Sequence, residues 1–286
     1  MKIILLKLTI SLLLFSSCSS DKSTQIDSSN LKVMTFNIRN GKAKDGENHW
    51  TKRRHMVYKM VNEYNSDFIG MQEAFKFQLD DILASCKQYS SVGEGRDGKG
   101  LGEYSNILYK KDKYELLETE TFWLSSTPEV VSKSWGNWHH RICTWGLFKN
   151  KINGKKVYVF NTHFDHKSVP ARIKSARLII DRVKNRKQKD TPFVIMGDFN
   201  AVPSSMEMNY FTSNNLLDAD VFIAHKDLNR GTATGFKFGN YKRKIDHIFI
   251  SEKQWKVLDS KIIRYSENKR YPSDHFPVYA ELELKN

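Results

Sequence analysis

The sequence predicts a mixed α/β domain. Short runs rich in β-branched and aromatic residues recur at strand length, segments with a helical apolar period fall between them, and no linker divides the chain after Leu31. At 286 residues the chain is long for one domain, yet large α/β sandwiches reach this size. With 12% aromatic residues it has the bulky side chains needed to fill a substantial core.

The strand candidates, in order, are Leu31–Ile38, Asp67–Met71, Ser105–Lys110, Arg141–Lys149, Lys156–His163, Phe193–Gly197, Lys244–Ser251 and Val278–Leu284. Two helices stand out. In one, capped by Thr51, Met56, Val57, Met60, Val61 and Tyr64 share a face. The other runs from Ala171 to Lys187, with Ala176, Ile179, Ile180 and Val183 inward and basic residues outward. A third covers Phe75 to Lys87. The Gly-rich stretch Gly95–Gly102 lacks the spacing of a phosphate-binding loop and reads as a flexible surface loop.

Residues 1–18 stand apart. Lys2 precedes a short apolar run, and Phe15-Ser16-Ser17-Cys18 resembles a lipobox, the site at which an exported bacterial lipoprotein is cleaved and acylated. The run is too short to cross a bilayer. The expected organisation is a signal peptide over 1–18, a Ser-rich polar tether over 19–30 and one domain over 31–286. Acyl chains on Cys18 would hold a monomeric domain at the cell envelope, on the outer membrane or cell surface, and that lipid is its only expected membrane contact. Cys86 and Cys143 are read as buried free thiols. The net charge of +14 becomes +12 without residues 1–18 (44 basic against 32 acidic). Such a balance favours polyanions, although scattered lysines on a solvated surface account for it equally well.

Polar and acidic residues recur where strands should end: Asn37, Gln72-Glu73, Asn161-Thr162-His163, Asp198-Phe199-Asn200, Asp246-His247 and Ser273-Asp274-His275. Sites collect on loops that a sheet positions. Singly, each residue has a plainer explanation: Asn37 capping a turn, Glu73 at a helix N-terminus, Asp198 and Asn200 forming an Asx-turn, His247 packed in its strand, Asp165 and His166 solvated. Without Cys-x-x-Cys or His-Glu-x-x-His a zinc site has little support, whereas carboxylate and amide oxygens suit Mg²⁺, Mn²⁺ or Ca²⁺.

As an ordered set these motifs, with Met34-Thr35-Phe36-Asn37-Ile38-Arg39 first and Ser273-Asp274-His275 last, resemble the endonuclease/exonuclease/phosphatase superfamily, the deoxyribonuclease I-like group. Phe122-Trp123-Leu124-Ser125 and Arg141-Ile142-Cys143-Thr144-Trp145 look like a bacterial lipoprotein subgroup of it. The resemblance implies a four-layered α/β sandwich, two mixed β-sheets flanked by helices. It implies a phosphoesterase using one or two Mg²⁺ or Mn²⁺ ions. Glu73 resembles the main metal-ligating carboxylate, Asn37 lies beside it, and Asp274 is a further metal-site acid. Asp198 aligns or deprotonates the attacking water, and Asn200 holds that water or a phosphate oxygen. His275, oriented by Asp246, bonds the phosphate, and His163 protonates the leaving oxygen. The chemistry is coherent: a cation and an imidazolium offset the charge that builds on phosphoryl oxygens, and a neighbouring carboxylate favours the imidazolium. Whether Asp198 or a histidine is the base stays open.

The loop Trp135–Arg141 packs aromatic, imidazole and guanidinium groups together. Such a loop suits stacking on a sugar or base and pairing with phosphate. Arg141, Trp138, His139 and His140 are therefore the substrate-binding candidates, with tryptophans closing over the core as the alternative. The expected substrate is a small or glycan-linked phosphoester, a diester before a monoester. A nuclease acting on DNA or RNA is the rival, since nucleic acid fits the charge. A non-catalytic binding lipoprotein is a third account, which a complete acid and histidine set disfavours.

Overall fold

The computed structural model describes residues 30–222, 230–239, 241 and 243–285. The expected signal peptide, Cys18 and the tether up to Ser29 lie outside the described residues. Twelve strands are described: β1 (Leu31–Asn37), β2 (Phe68–Gln72), β3 (Tyr89–Val92), β4 (Ile107–Lys110), β5 (Tyr114–Trp123), β6 (Ile142–Asn150), β7 (Lys156–His163), β8 (Phe193–Asp198), β9 (Leu216–Asp218), β10 (Asp246–Ser251), β11 (Trp255–Ile262) and β12 (Val278–Leu284). They form two six-stranded mixed sheets, ordered β11-β12-β1-β2-β4-β3 and β5-β6-β7-β8-β10-β9. The helices are α1 (Trp50–Tyr64), α2 (Lys76–Ser85), α3 (Val169–Lys184) and α4 (Met206–Ser213).

Strand periodicity explains the layers. In β1, Val33 joins the cluster between the sheets with Phe68, Phe148, Val159, Val194, Met196, Ile248 and Ala280. Its neighbours Met34 and Phe36 point the other way, onto Val57, Met60 and Val61 of α1 and Leu79 and Ile82 of α2. The outer face of the second sheet does the same: Phe160, Ile195 and Phe249 pack on Ile179 and Ile180 of α3 and Phe211 of α4. The result is helices, sheet, sheet, helices. Each fully buried large side chain contributes about 1.5–3 kcal/mol.

Some boundaries differ from expectation. Thr51 is inside α1, and the cap is His49, whose ring Nδ1 accepts from the Thr51 amide at 3.4 Å. Ser168 caps α3 two residues earlier than expected, accepting from the Ala171 amide. Cys86 and Cys143 are buried and unpaired.

One polar contact crosses the middle of the sandwich. Asn161 of β7 donates to the carbonyls of Met71 at 2.9 Å and Asn106 at 2.7 Å, and accepts from Gln72 Nε2 at 2.6 Å. Gly70 gives it room: a Cβ there would stand 2.6 Å from Asn161 Oδ1. Thr35, Gln72 and Asn161 thus form a hydrogen-bonded polar belt between the apolar core and the strand ends, in which Gln72 Oε1 alone is left without a partner among the described residues.

Candidate active site

The alternation that turns Val33 and Thr35 inward also turns Asn37 inward at the end of β1. The same parity brings His163, Asp198 and Asp246 inward from β7, β8 and β10. β1 and β2 are parallel, as are β7 and β8, so their C-terminal ends share one edge of the sandwich. The antiparallel β10 begins there, directly pairing Asp246 with Asp198. The loop before β12 adds Asp274 and His275.

Asn37 Nδ2 donates to Glu73 Oε1 at 3.1 Å and to Asp198 Oδ2 at 3.0 Å, linking the two sheets' acids. Its Oδ1 accepts the Arg39 amide at 3.0 Å, so Asn37 ties the backbone after β1 to both acids. Glu73 Oε2 accepts the Asn40 amide at 2.9 Å and lies 3.9 Å from Arg39 Nη1. Arg39 also lies 3.8 Å from Asp274 and forms a two-point pair with Asp45. Arg39, Glu73 and Asn200 all hold left-handed backbone, with φ of 59°, 60° and 49°. Side chains other than glycine adopt it at a cost, and such strain collects at functional sites.

His275 Nδ1 meets Asp246 Oδ2 at 2.9 Å, while its Nε2 lies 3.9 Å from Asp198 Oδ2. His163 Nε2 lies 3.4 Å from the same Asp198 oxygen and 3.1 Å from Asn200 Nδ2. Asp198 Oδ1 accepts the Asn200 amide at 2.9 Å. Burial opposes the charge of His275, but Asp246 and Asp198 outweigh it and hold its pKa well above the usual histidine value. Burial, then Arg141 and Arg96, hold His163 well below. The two histidines therefore shift in opposite directions, His275 toward the imidazolium and His163 toward the neutral ring. Burial, reinforced by Asp246, pushes Asp198 up to about 7. Burial would also raise Glu73, yet the Asn40 amide, His275, Asn37 and Arg39 together hold it below the usual carboxylate value. Asp274 is raised by burial.

Glu73, His163, Asp198, Asn200 and His275 line a cavity of about 280 Å³ with Arg39, Asn40, Arg96, Glu103, His139, Arg141 and His166. A larger cleft of about 660 Å³ lies far from this chemistry, against α3. Arg141 is 4% exposed, and its Nη2 donates to His166 Nδ1 at 3.1 Å. Asp165 is buried, unlike the solvated residue expected. It accepts the amides of Trp138, Lys167 and Ser168, at 2.8, 2.9 and 2.9 Å, and lies 3.5 Å from Arg141. Asp165 is thus what folds the Trp135–Arg141 loop against the cavity. His139 lines it, stacked on His166 at 5.9 Å, and burial followed by Arg96 and Arg141 lowers its pKa to about 4. Trp138 and His140 do not line it: Trp138 is 61% exposed, and His140 pairs with Asp97 at 2.8 Å. His247 is a packed strand residue, held by Asp218 and the Ala201 carbonyl.

Arg96 and Glu103 were not anticipated. They come from the stretch read as a flexible loop, which is a hairpin: the Arg96 amide donates to the Glu103 carbonyl at 2.9 Å, and Gly98, Lys99, Gly100 and Gly102 turn it through positive φ. Its two arms place both side chains on the cavity. The paired acid and base at its base, Arg96 and Glu103, were the available sequence signal.

The donor set suits a hard divalent cation. Asp198 is buried, and Glu73 and Asp274 are partly buried, with side chains 16% and 17% exposed; carboxylate oxygens are the ligands such a cation takes. Asp198, Asp246 and His275 each bring one ligand-type atom to within 4.8 Å of the others. His275 Nδ1 is already engaged by Asp246, and Arg39 lies 3.9 Å from Glu73 and 3.8 Å from Asp274, the two acids that the resemblance assigns to a cation.

A family model described as the Endonuclease/Exonuclease/phosphatase family matches residues 34–275. An endonuclease/exonuclease/phosphatase family protein from Bacteroides thetaiotaomicron superposes with a TM-score of 0.81 at 36% identity, covering 88% of this chain and 97% of that one. A mannosyl-6-phosphatase from the same organism does so with a TM-score of 0.81 at 35% identity, covering 90% and 100%. The Schizosaccharomyces pombe CCR4-Not complex 3'-5'-exoribonuclease subunit Ccr4 is 22% identical over 312 residues, 82% of this chain and 45% of that protein. The chain thus spans less than half the length of that nuclease.

Proposed function

The chain belongs to the endonuclease/exonuclease/phosphatase family, a family of hydrolytic enzymes, and from that premise we propose that it hydrolyses a phosphate ester carried by a sugar or glycan. The observation that carries this reading is the cavity. At about 280 Å³ it sits at the lower end of the ~300–1,000 Å³ typical of small-molecule sites. Arg141 stands in its lining with Asp198 and His275, while Arg39 and Arg96 there are paired with Asp45 and Glu103. One phosphate with a small alcohol suits that space and charge better than a polymer duplex. The mannosyl-6-phosphatase similarity favours a monoester over the diester first expected.

The residues divide the work by charge. Arg141 and the His275 imidazolium face the phosphoryl oxygens and offset charge that grows on them in the transition state. Asp198, once ionised, aligns the attacking water and takes its proton, with Asn200 fixed beside it by His163. Asp246 keeps His275 protonated and in one orientation. His163, held below the usual histidine value by burial, Arg141 and Arg96, stands beside Asn200 and Asp198, where the resemblance gives it the leaving oxygen to protonate. A divalent cation, Mg²⁺ or Mn²⁺, which the family resemblance would place at Glu73 and Asp274, would supply Lewis-acid neutralisation of the same oxygens.

The test is a panel of mannose 6-phosphate, other sugar phosphates, p-nitrophenyl phosphate, bis-p-nitrophenyl phosphate, RNA and plasmid DNA, with Mg²⁺ or Mn²⁺ and with EDTA. Metal-dependent phosphate release, fastest on sugar phosphates, is expected. Turnover confined to RNA or DNA would replace this reading with the nuclease, and no turnover would favour the binding lipoprotein. We further propose that the domain acts from a lipid anchor on Cys18 at the cell envelope. Radiolabelled acyl chains on wild type and none on Cys18→Ala is the expected result.

A further inference from the structure

We propose that Arg96 and Glu103 are the specificity pair of this site, reading adjacent hydroxyls on the alcohol half of the substrate. The proposal rests on the phosphoester-hydrolase reading above and says which alcohols that site accepts.

The hairpin that carries the pair is fastened at its base. Tyr104 donates its amide to the carbonyl of Ala74, the residue after Glu73, at 2.7 Å, and Trp123 Nε1 donates to the Arg96 carbonyl at 2.7 Å. Tight glycine turns bring the two arms together, so Arg96 and Glu103 emerge side by side. Glu103 Oε2 accepts from Arg96 Nη1 at 2.6 Å, and its Oε1 accepts from Asn40 Nδ2 at 2.9 Å. Asn40 in turn gives its amide to Glu73, so the pair is registered against the catalytic acids through one residue.

A surface ion pair that merely closed a hairpin would not need this setting. The two side chains are 14% and 11% exposed, and both line the cavity that holds His163, Asp198 and His275. Each oxygen of Glu103 carries one hydrogen bond among the described residues, whereas a carboxylate accepts about four. Arg96 has five N–H donors and gives one of them to Glu103. The unused capacity is an acceptor and a donor next to each other. A hydroxyl both gives and takes a hydrogen bond, so two neighbouring hydroxyls match that pattern. An anion matches it poorly, because the pair carries no net charge. The occupant it suits is therefore the neutral, polyhydroxylated part of a sugar phosphate, with the phosphate itself at Arg141 and His275.

The readout is the ratio of kcat/KM for mannose 6-phosphate to that for p-nitrophenyl phosphate, which has no hydroxyl to read. Glu103→Gln replaces one acceptor oxygen with an amino donor and should lower that ratio about 10- to 100-fold, the size expected when a charge-assisted hydrogen bond to substrate is lost. A ratio within about 2-fold of wild type, with both activities falling together, would make the pair structural and overturn the proposal. If Glu103→Gln does not fold because Arg96 is left unpaired, the double variant Arg96→Gln/Glu103→Gln removes both charges and the same ratio is read. Wild type that turns over neither compound overturns the hydrolase reading itself, an outcome separate from an unchanged ratio.

Discussion

Asp246 and Asp198 face each other across the β8–β10 pair, and His275 lies between them, 2.9 Å from the first and 3.9 Å from the second. Two buried carboxylates so close would repel, and the imidazolium is what they share. Asp246→Asn keeps the shape and removes one charge, so His275 should lose its proton more easily. We expect kcat to fall about 10²- to 10⁴-fold with the fold intact. The His275 ring signals should titrate at lower pH by NMR. An unchanged His275 titration would sink the role given to Asp246.

Asp198 carries a sign that separates stability from activity. Its folded pKa of about 7 lies above the unfolded value near 3.8, so the folded state binds the proton more tightly. That contribution is favourable at low pH and is lost as pH rises from about 4 through 7. In metal-free buffer at pH 8, Asp198→Asn should be inactive yet more stable than wild type, by on the order of 1–3 kcal/mol in urea unfolding. In wild type, kcat/KM should climb as pH passes through about 7. A destabilised Asp198→Asn would contradict this.

Asp165 has the opposite sign. Its carboxylate accepts four backbone amides, that of His139 the longest, beside Arg141; despite burial, its pKa is about 2. Stability from it is present above about 4 and lost as pH falls through 2. Asp165→Asn should cost about 2 kcal/mol at pH 7 and flatten the acid limb of the stability curve. It should also raise KM, because the loop holding Arg141 loosens. A variant with wild-type acid sensitivity would show that the loop is held by something else.

Arg53 is buried in α1 and donates to the carbonyls of Ile38 at 2.7 Å, Arg39 at 3.0 Å, Asn48 at 2.8 Å and Pro272 at 2.7 Å. It joins the loop after β1 to the loop before β12. Burial lowers its pKa to about 10, still well above neutrality. Arg53→Ala leaves those carbonyls short of a donor and should cost about 3 kcal/mol or more by chemical denaturation. Near-wild-type stability would show that water replaces the guanidinium.

Glu73→Gln tests the cation. The variant should need at least about tenfold more Mg²⁺ or Mn²⁺ for half-maximal activity. Calorimetric metal titration gives an independent measure, and equal affinity in both proteins would move the cation elsewhere.

The sequence was most legible where the chain is most buried. The eight strands it marked are β1, β2, β4, β6, β7, β8, β10 and β12, all internal to the sheets. The four it missed, β3, β5, β9 and β11, are the four sheet edges. An edge strand packs on one side and is defended by charge, as in Tyr114–Trp123 with its three glutamates, so apolar periodicity fades. The strand-end residues were legible because inward parity runs unbroken from Val33 to Asn37 and from Val194 to Asp198. Asp165 and the Arg96–Glu103 hairpin were not. Their roles rest on backbone amides and a turn, which leave no periodic trace.

Ser273 donates to the Asn37 carbonyl at 2.7 Å across 236 residues of chain. The first strand's site residue therefore waits for the last strand's loop. With Glu73 borne on one sheet and Asp198 on the other, neither half of the sequence holds a working set. A chain still emerging is without a complete site until its final strand docks. The fold thereby withholds its chemistry from any molecule that is not yet finished folding.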